Sequence, residues 1–238
     1  MKKIVKGRIA ELQTLGLLDG PGIRTVVFLQ GCPLRCLYCH NPEMQEMGGK
    51  VKEYTPEELV AFLKRYKPYY KDTGGVTFSG GEPLLQREFL LEALKLCKKE
   101  GINTCLDTSG FGVDYDEILD YTDLVIMDIK ACNPELYTKI TSQKIETSLR
   151  FLDACQRKNK RMWLRQVIVP GINDNEEQIL ELKKFISKLK NIEKVELLPY
   201  HTMGKAKYEA LGREYPLGDT PAMEAKRCKK LETLLKKK

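Results

Sequence analysis

The stretch Thr25-Val26-Val27-Phe28-Leu29-Gln30-Gly31-Cys32-Pro33-Leu34-Arg35-Cys36-Leu37-Tyr38-Cys39 sets a β-branched apolar run directly before three cysteines spaced C-x3-C-x2-C. A short apolar run followed by turn residues reads as a buried strand, which leaves the cysteines on the loop that follows it. Three thiolates are one short of the four ligands that close a structural zinc site or an electron-carrying iron-sulfur cluster. The spacing therefore describes a centre with one coordination position open to a reacting molecule.

The other readings of the cysteines are weaker. Eight cysteines in 238 residues, with no signal peptide and no apolar stretch near 18 residues, argue for reduced thiols in the cytosol rather than a disulfide framework. Zinc motifs bring a second C-x2-C or H-x3-H pair, and the only histidines are His40 and His201. Cys97, Cys105, Cys155 and Cys228 stand singly in helical or strand patterns and read as small buried hydrophobes, with Cys132 just past a strand end. The net charge of +7 is spread along helix faces and a Lys236-Lys237-Lys238 tail, so no basic stripe for nucleic acid is seen. A positive surface of this kind can still steer an acidic protein partner.

Along the chain, strand patterns at Thr25–Leu29, Gly75–Phe78, Asn103–Leu106, Leu124–Asp128, Met162–Val169 and Lys194–Leu198 alternate with amphipathic helices. Thr55-Pro56-Glu57-Glu58 carries an N-cap, a first-turn proline and a capping-box glutamate. Arg87–Glu100 is a second helix stopped at Gly101; a capping box at Asp174 to Glu177 and a start at Thr220-Pro221 open two more. Alternating strands and helices imply parallel pairing through right-handed crossovers, so the expected fold is a single α/β domain over residues 1–238, a partial (β/α)6 TIM-like barrel.

Sites in such folds lie at the C-terminal ends of the strands. The cysteine loop, Ser79-Gly80-Gly81-Glu82-Pro83, Asp107-Thr108-Ser109-Gly110, Asp128-Ile129-Lys130, Pro170-Gly171 and Pro199-Tyr200-His201 each stand at the end of one expected strand. Gly80 and Gly81 allow a close backbone approach, Asp128 and Lys130 share one strand face, and Arg165 is a charge within an apolar strand that needs a partner. Carboxylate and hydroxyl oxygens at Asp107, Thr108 and Asp128 suit either a hard cation or a hydrogen-bonded carboxylate pair.

The C-x3-C-x2-C set with Tyr38, followed by Gly80-Gly81-Glu82-Pro83, resembles the radical S-adenosylmethionine (SAM) superfamily. Asp19-Gly20-Pro21-Gly22-Ile23-Arg24, Cys39-His40-Asn41-Pro42, Trp163-Leu164-Arg165 with Val169-Pro170-Gly171, and Leu197-Leu198-Pro199-Tyr200-His201 make it similar to the glycyl-radical-enzyme activases. The resemblance covers nearly the whole chain.

It implies that Cys32, Cys36 and Cys39 hold a 4Fe-4S cluster whose fourth iron chelates SAM. Electron transfer then cleaves the sulfonium to a 5′-deoxyadenosyl radical, which takes a hydrogen atom from a glycine of a partner protein. Tyr38, Gly80, Gly81, Glu82, Asp128, Lys130 and His201 are implied as cofactor contacts. Asp107, Thr108, Asp128 and the Ile126 carbonyl are implied as a monovalent cation site. The segment Glu43–Phe78 has no cysteine, so the ferredoxin-like insertion of two-cluster activases is missing. That points to pyruvate formate-lyase or a close relative as partner, flavodoxin or ferredoxin as reductant, a monomeric cytoplasmic protein, and no role for membranes or nucleic acid. Asp19 and Arg165, with the 204–212 segment, are the expected contacts to the partner. The rival readings are a small-molecule radical SAM enzyme, such as a deazapurine synthase, and a non-enzymatic iron-sulfur redox protein.

Overall fold

The computed structural model describes residues 4–49 and 51–236, so the last two lysines of the tail lie outside it. The chain runs β1 (Gly7–Gly16), β2 (Arg24–Leu29), β3 (Lys52–Tyr54), α1 (Pro56–Lys64), α2 (Lys67–Tyr70), β4 (Gly75–Gly80), α3 (Arg87–Lys99) and β5 (Thr104–Thr108). It continues through α4 (Asp116–Asp120), β6 (Leu124–Asp128), α5 (Pro134–Thr141), α6 (Glu146–Arg157), β7 (Met162–Ile168), α7 (Glu176–Ile186), β8 (Ile192–Pro199), α8 (Lys205–Ala210) and α9 (Ala225–Lys236). One sheet, in the order β3-β1-β2-β4-β5-β6-β7-β8, carries six parallel strands from β2 to β8. These are the six strands the sequence predicts.

Two strands went unread. β1 pairs antiparallel with β2 and with the three-residue β3, which extends the sheet beyond the barrel. Register shifts between Ile9 and Glu11 and between Gln13 and Gly16 break the two-residue alternation that would have revealed β1. β3 has no buried residue and owes its existence to pairing alone.

Val27, Leu29, Val76, Phe78, Leu106, Val125, Met127, Leu164 and Ile168 turn outward into one core with the helices, which contribute Leu59, Leu63, Leu90 and Leu94. Each of those leucines adds about 2 kcal/mol by burial. The capping box at Thr55 and Glu58 forms as read, and Gly101 takes the left-handed conformation that ends α3. The cap of α7 is instead Asn175, whose side chain accepts from the Gln178 amide. Asp174 binds the Gly171 amide and Arg227, because the turn before the helix needs its carboxylate more. The last helix starts at Ala225 rather than Thr220-Pro221, since the Met223 amide is taken by the Tyr200 carbonyl.

Candidate functional site

On the opposite face, strand residues two apart point into the barrel. Cys105, Leu124 and Ile126, with Trp163 against them, form a small apolar layer. Above it, Phe28, Ser79, Asp107, Asp128, Arg165, Val167 and Leu198 line a cavity of about 300 Å³ together with Asp19, Cys32, Cys36, Tyr38, Cys39, His40, Gly80, Gly81, Thr108 and Lys130. Residues separated by up to 179 positions thus share one space because the parallel register brings every strand end to the same rim.

The cysteine loop is fixed by what surrounds it. The Arg35 and Leu37 amides donate to the Thr141 and Ile140 carbonyls, which the end of α5 leaves without helical partners. Gly31 and Cys32 donate to Met44 and Gln45 carbonyls further along the loop. On the outer side, Lys207 reaches Asn41 and Glu43, and Arg213 reaches Gln45. The segment expected to touch a partner therefore also clamps the cysteine loop. A Cβ on Gly204 would stand 2.9 Å from the Cys39 carbonyl, so α8 is packed directly on it.

Burial lifts the Cys32 thiol to about 12 and the Cys36 thiol to about 11. Thiolates persist in such a place only beside a positive centre. Among the described residues no group of three or more His, Cys, Asp and Glu side chains is arranged to hold a single metal ion. Cys32, Cys36 and Cys39 nevertheless all line the one cavity. Among the described residues, Tyr38 Oη, Tyr137 Oη and His201 Nδ1 are buried without a hydrogen-bond partner, and of the three residues only Tyr38 lines the cavity.

Gly80 and Gly81 serve the backbone first. Gly80 has φ +105°, and a Cβ there would lie 2.5 Å from the Leu29 amide; on Gly81 it would lie 2.2 Å from the Gly31 carbonyl. Both glycines let the end of β4 cross the end of β2 while still facing the cavity.

Three expected contacts are placed differently. Glu82 is fully buried behind the wall, where Oε1 accepts from the Leu84 amide and the Thr108 hydroxyl, and Oε2 accepts from the Ser109 amide and hydroxyl. Burial raises its carboxyl while these four donors pull it back down. Glu82 thus ties the β4 loop to the β5 loop and offers nothing to a ligand. His201 stacks on His40 with ring centroids 3.8 Å apart, and it is His40 that lines the cavity, its Nε2 3.1 Å from the His201 carbonyl. Thr108 reaches the wall, but its hydroxyl donates to Glu82 and accepts from Gly110.

The inward charges form a band. Lys130 Nζ lies 2.8 Å from Asp128 Oδ2 and 5.6 Å from the centre of the Tyr38 ring. Ser79 donates to Asp107 at 2.7 Å. Burial, and then the charge of Asp128, push the Asp107 carboxyl up to about 7. Arg165 donates to Glu196 at 3.2 Å and to the Leu18 carbonyl at 2.5 Å, so it binds β8 to the arm that carries Asp19. The Ile126 side chain belongs to the apolar layer below the cavity. Ser79 and His40 were not named as cavity contacts, although Ser79 opens the rim segment Ser79-Gly80-Gly81-Glu82-Pro83 and His40 follows Cys39, so the strand end and adjacency carried the signal.

The parallel barrel with its cysteine loop at the rim defines the class: the radical SAM superfamily model matches residues 26–182. The pyruvate formate-lyase-activating enzyme of Clostridium pasteurianum is 52% identical over 235 residues, covering 98% of both chains. The pyruvate formate-lyase 1-activating enzyme of Escherichia coli K12 is 44% identical, covering 90% of this chain and 88% of its own. In fold, Streptococcus suis SuiB bound to its precursor peptide SuiA matches 89% of this chain and 44% of its own, with a TM-score of 0.68 and 16% identity. Within the superfamily, this chain belongs to the family of pyruvate formate-lyase-activating enzymes.

Proposed function

We propose that this chain installs the glycyl radical of a pyruvate formate-lyase-type partner, using a 4Fe-4S cluster held by Cys32, Cys36 and Cys39. One observation carries the reading: three thiols, the Gly80-Gly81 crossing and the charged band of Asp107, Asp128, Lys130 and Arg165 meet in a single cavity at the strand ends. The cluster and SAM supply, when bound, the one-electron cleavage and the acceptor for the glycine's hydrogen atom.

The chain's own residues supply the setting. Tyr38 closes the cavity with its ring, and Lys130, poised over that ring, presents a buried cation to a carboxylate or ribose group. Gly80 and Gly81 keep that wall free of side chains so that an amino group can lie against backbone. Asp107 and Asp128 repel one another across the cavity, and a monovalent cation between them, with the Ile126 carbonyl as a further ligand, would relieve that repulsion. Thr108 would join it through the one lone pair its two hydrogen bonds leave free. Asp19 and Arg165 stand at the open side, where the partner's glycine segment enters in extended form. Burial raises the Asp19 carboxyl, against the pull of Arg165.

Flavodoxin or ferredoxin is the proposed reductant, and the protein acts as a monomer in the cytoplasm. Among the described residues no helix is long and apolar enough to cross a membrane.

The test is anaerobic. The reconstituted protein, reduced flavodoxin, SAM and pyruvate formate-lyase should together give a glycyl-radical signal by electron paramagnetic resonance. Cleavage of SAM without that signal would favour a small-molecule radical enzyme, and no cleavage at all would favour a redox carrier.

A further inference from the structure

Arg24 is fully buried at the start of β2, outside the cavity, and among the described residues its head meets six oxygens, none of them a carboxylate's. Nε donates to Thr77 Oγ1 at 2.7 Å; Nη1 donates to the carbonyls of Pro21 at 3.1 Å and Thr73 at 3.3 Å. Nη2 donates to the Val76 carbonyl at 2.7 Å, to Asn103 Oδ1 at 3.0 Å and to the Asn103 carbonyl at 3.4 Å. Thr77 passes the link onward, since its hydroxyl donates to the Asp19 carbonyl at 2.6 Å. One guanidinium therefore joins the 19–22 turn to the turn before β4, to β4 itself and to the residue before β5.

The turn is shaped around that head. Gly20 has φ +125°, and a Cβ there would stand 2.9 Å from Arg24 Cδ. Gly22 has φ +71°, and a Cβ there would stand 2.5 Å from the Gly74 amide. Only glycine takes these angles without strain, and only glycine fits these gaps. Burying a guanidinium is costly unless its donors are used, and lysine, a point charge, could not serve so many directions.

We infer that Arg24 is a positioning residue for the partner protein: acting through Pro21, and through Thr77 on Asp19, it holds the 19–22 turn so that Asp19 meets the incoming glycine segment. The inference rests on the proposed function, and it assigns Arg24 no part in cofactor chemistry. Because Arg24 is separated from the cavity by the turn it holds, its loss acts first on the turn and only through it on the partner.

Thr77→Val is the direct test, since it keeps the side-chain shape and removes both links of the relay. Losing a hydrogen bond of about 1.4 kcal/mol is about a tenfold change. Amide hydrogen exchange at Gly75, whose N–H donates to the Ile23 carbonyl at the end of the turn, measured on the full chain, should speed up about tenfold. KM for a peptide spanning the partner's glycine should rise by a similar factor, while reductive cleavage of SAM without peptide stays within about twofold. Arg24→Lys should change both in the same direction and further; should it fail to fold, Thr77→Val still decides. Unchanged exchange with unchanged KM would overturn the inference, and so would an equal loss of peptide-free SAM cleavage, which would make Arg24 a brace for the whole barrel. A wild-type protein that cleaves SAM but never forms a glycyl radical would instead fail the functional reading, a result visible before any variant is made.

Discussion

Glu82, buried, and Asp107, half-buried, are carboxylates at the ends of neighbouring strands, yet one is saturated and the other is not. Glu82 accepts four hydrogen bonds from two loops and faces no cavity. Asp107 has Ser79 as its hydrogen-bond donor, faces Asp128, and opens on the cavity. Arg24 belongs with Glu82, and the three cysteines belong with Asp107. Saturated groups hold the rim in shape; unsaturated ones keep bonding capacity for something that is not part of the chain.

That contrast is sharpest at the cysteines. Cys32→Ala, Cys36→Ala or Cys39→Ala should each abolish 4Fe-4S absorbance and activity, while the cluster-free protein loses no more than about 1 kcal/mol in urea unfolding. Cys97→Ala, Cys155→Ala and Cys228→Ala should keep the cluster, because these thiols are buried in the apolar core. A buried outlier as necessary to the cluster as the three would break the distinction.

Glu82→Ala should do the reverse. Four donors lose their acceptor, so cluster-free protein should lose about 3–5 kcal/mol in the same unfolding measurement. A loss below about 1 kcal/mol would show that the two loops are held by something else.

Asp107 gives the pH dependence. Its carboxyl sits at about 7 in the fold against an ordinary value of 3.8. The folded state therefore holds the proton more tightly than the unfolded chain does. Stability is fully present below about pH 4 and declines as pH rises toward about 7, by an amount on the order of 4 kcal/mol. Asp107→Asn should flatten that slope in melts of cluster-free protein. In the wild type, potassium should flatten it relative to tetramethylammonium if the two carboxylates hold a small cation. Identical melts in both salts would leave a hydrogen-bonded pair.

The smallest effect is expected at the mouth. Asp19→Ala should slow glycyl-radical formation about tenfold and peptide-free SAM cleavage by no more than about threefold. An equal loss in both assays would move Asp19 from the partner side to the cofactor side.

How far the residues could be read depended on how far apart their partners lie. Six strands, the cap at Thr55 and the stop at Gly101 follow from patterns within a dozen residues. The cysteine loop was legible because its three thiols span eight positions, and all three line the cavity. Glu82 was misplaced because its acceptor sites are filled from Thr108 and Ser109, on another strand's loop. His201 was misplaced because the ring that reaches the cavity belongs to His40, on a loop 161 positions earlier. Arg24 gave no local sign of its role, since Thr77 and Asn103 come to it only across parallel strands.

The sequence by itself determined the alternation that makes a barrel, the count of three thiolates, and the rim to which the polar residues belong. Periodicity, spacing and chain order are local properties, and neighbouring residues are enough to express them. Only the tertiary structure decided which polar groups at that rim are spent on one another and which remain open. Hydrogen-bond saturation depends on groups brought together by register and crossover, and no single stretch of chain contains both partners.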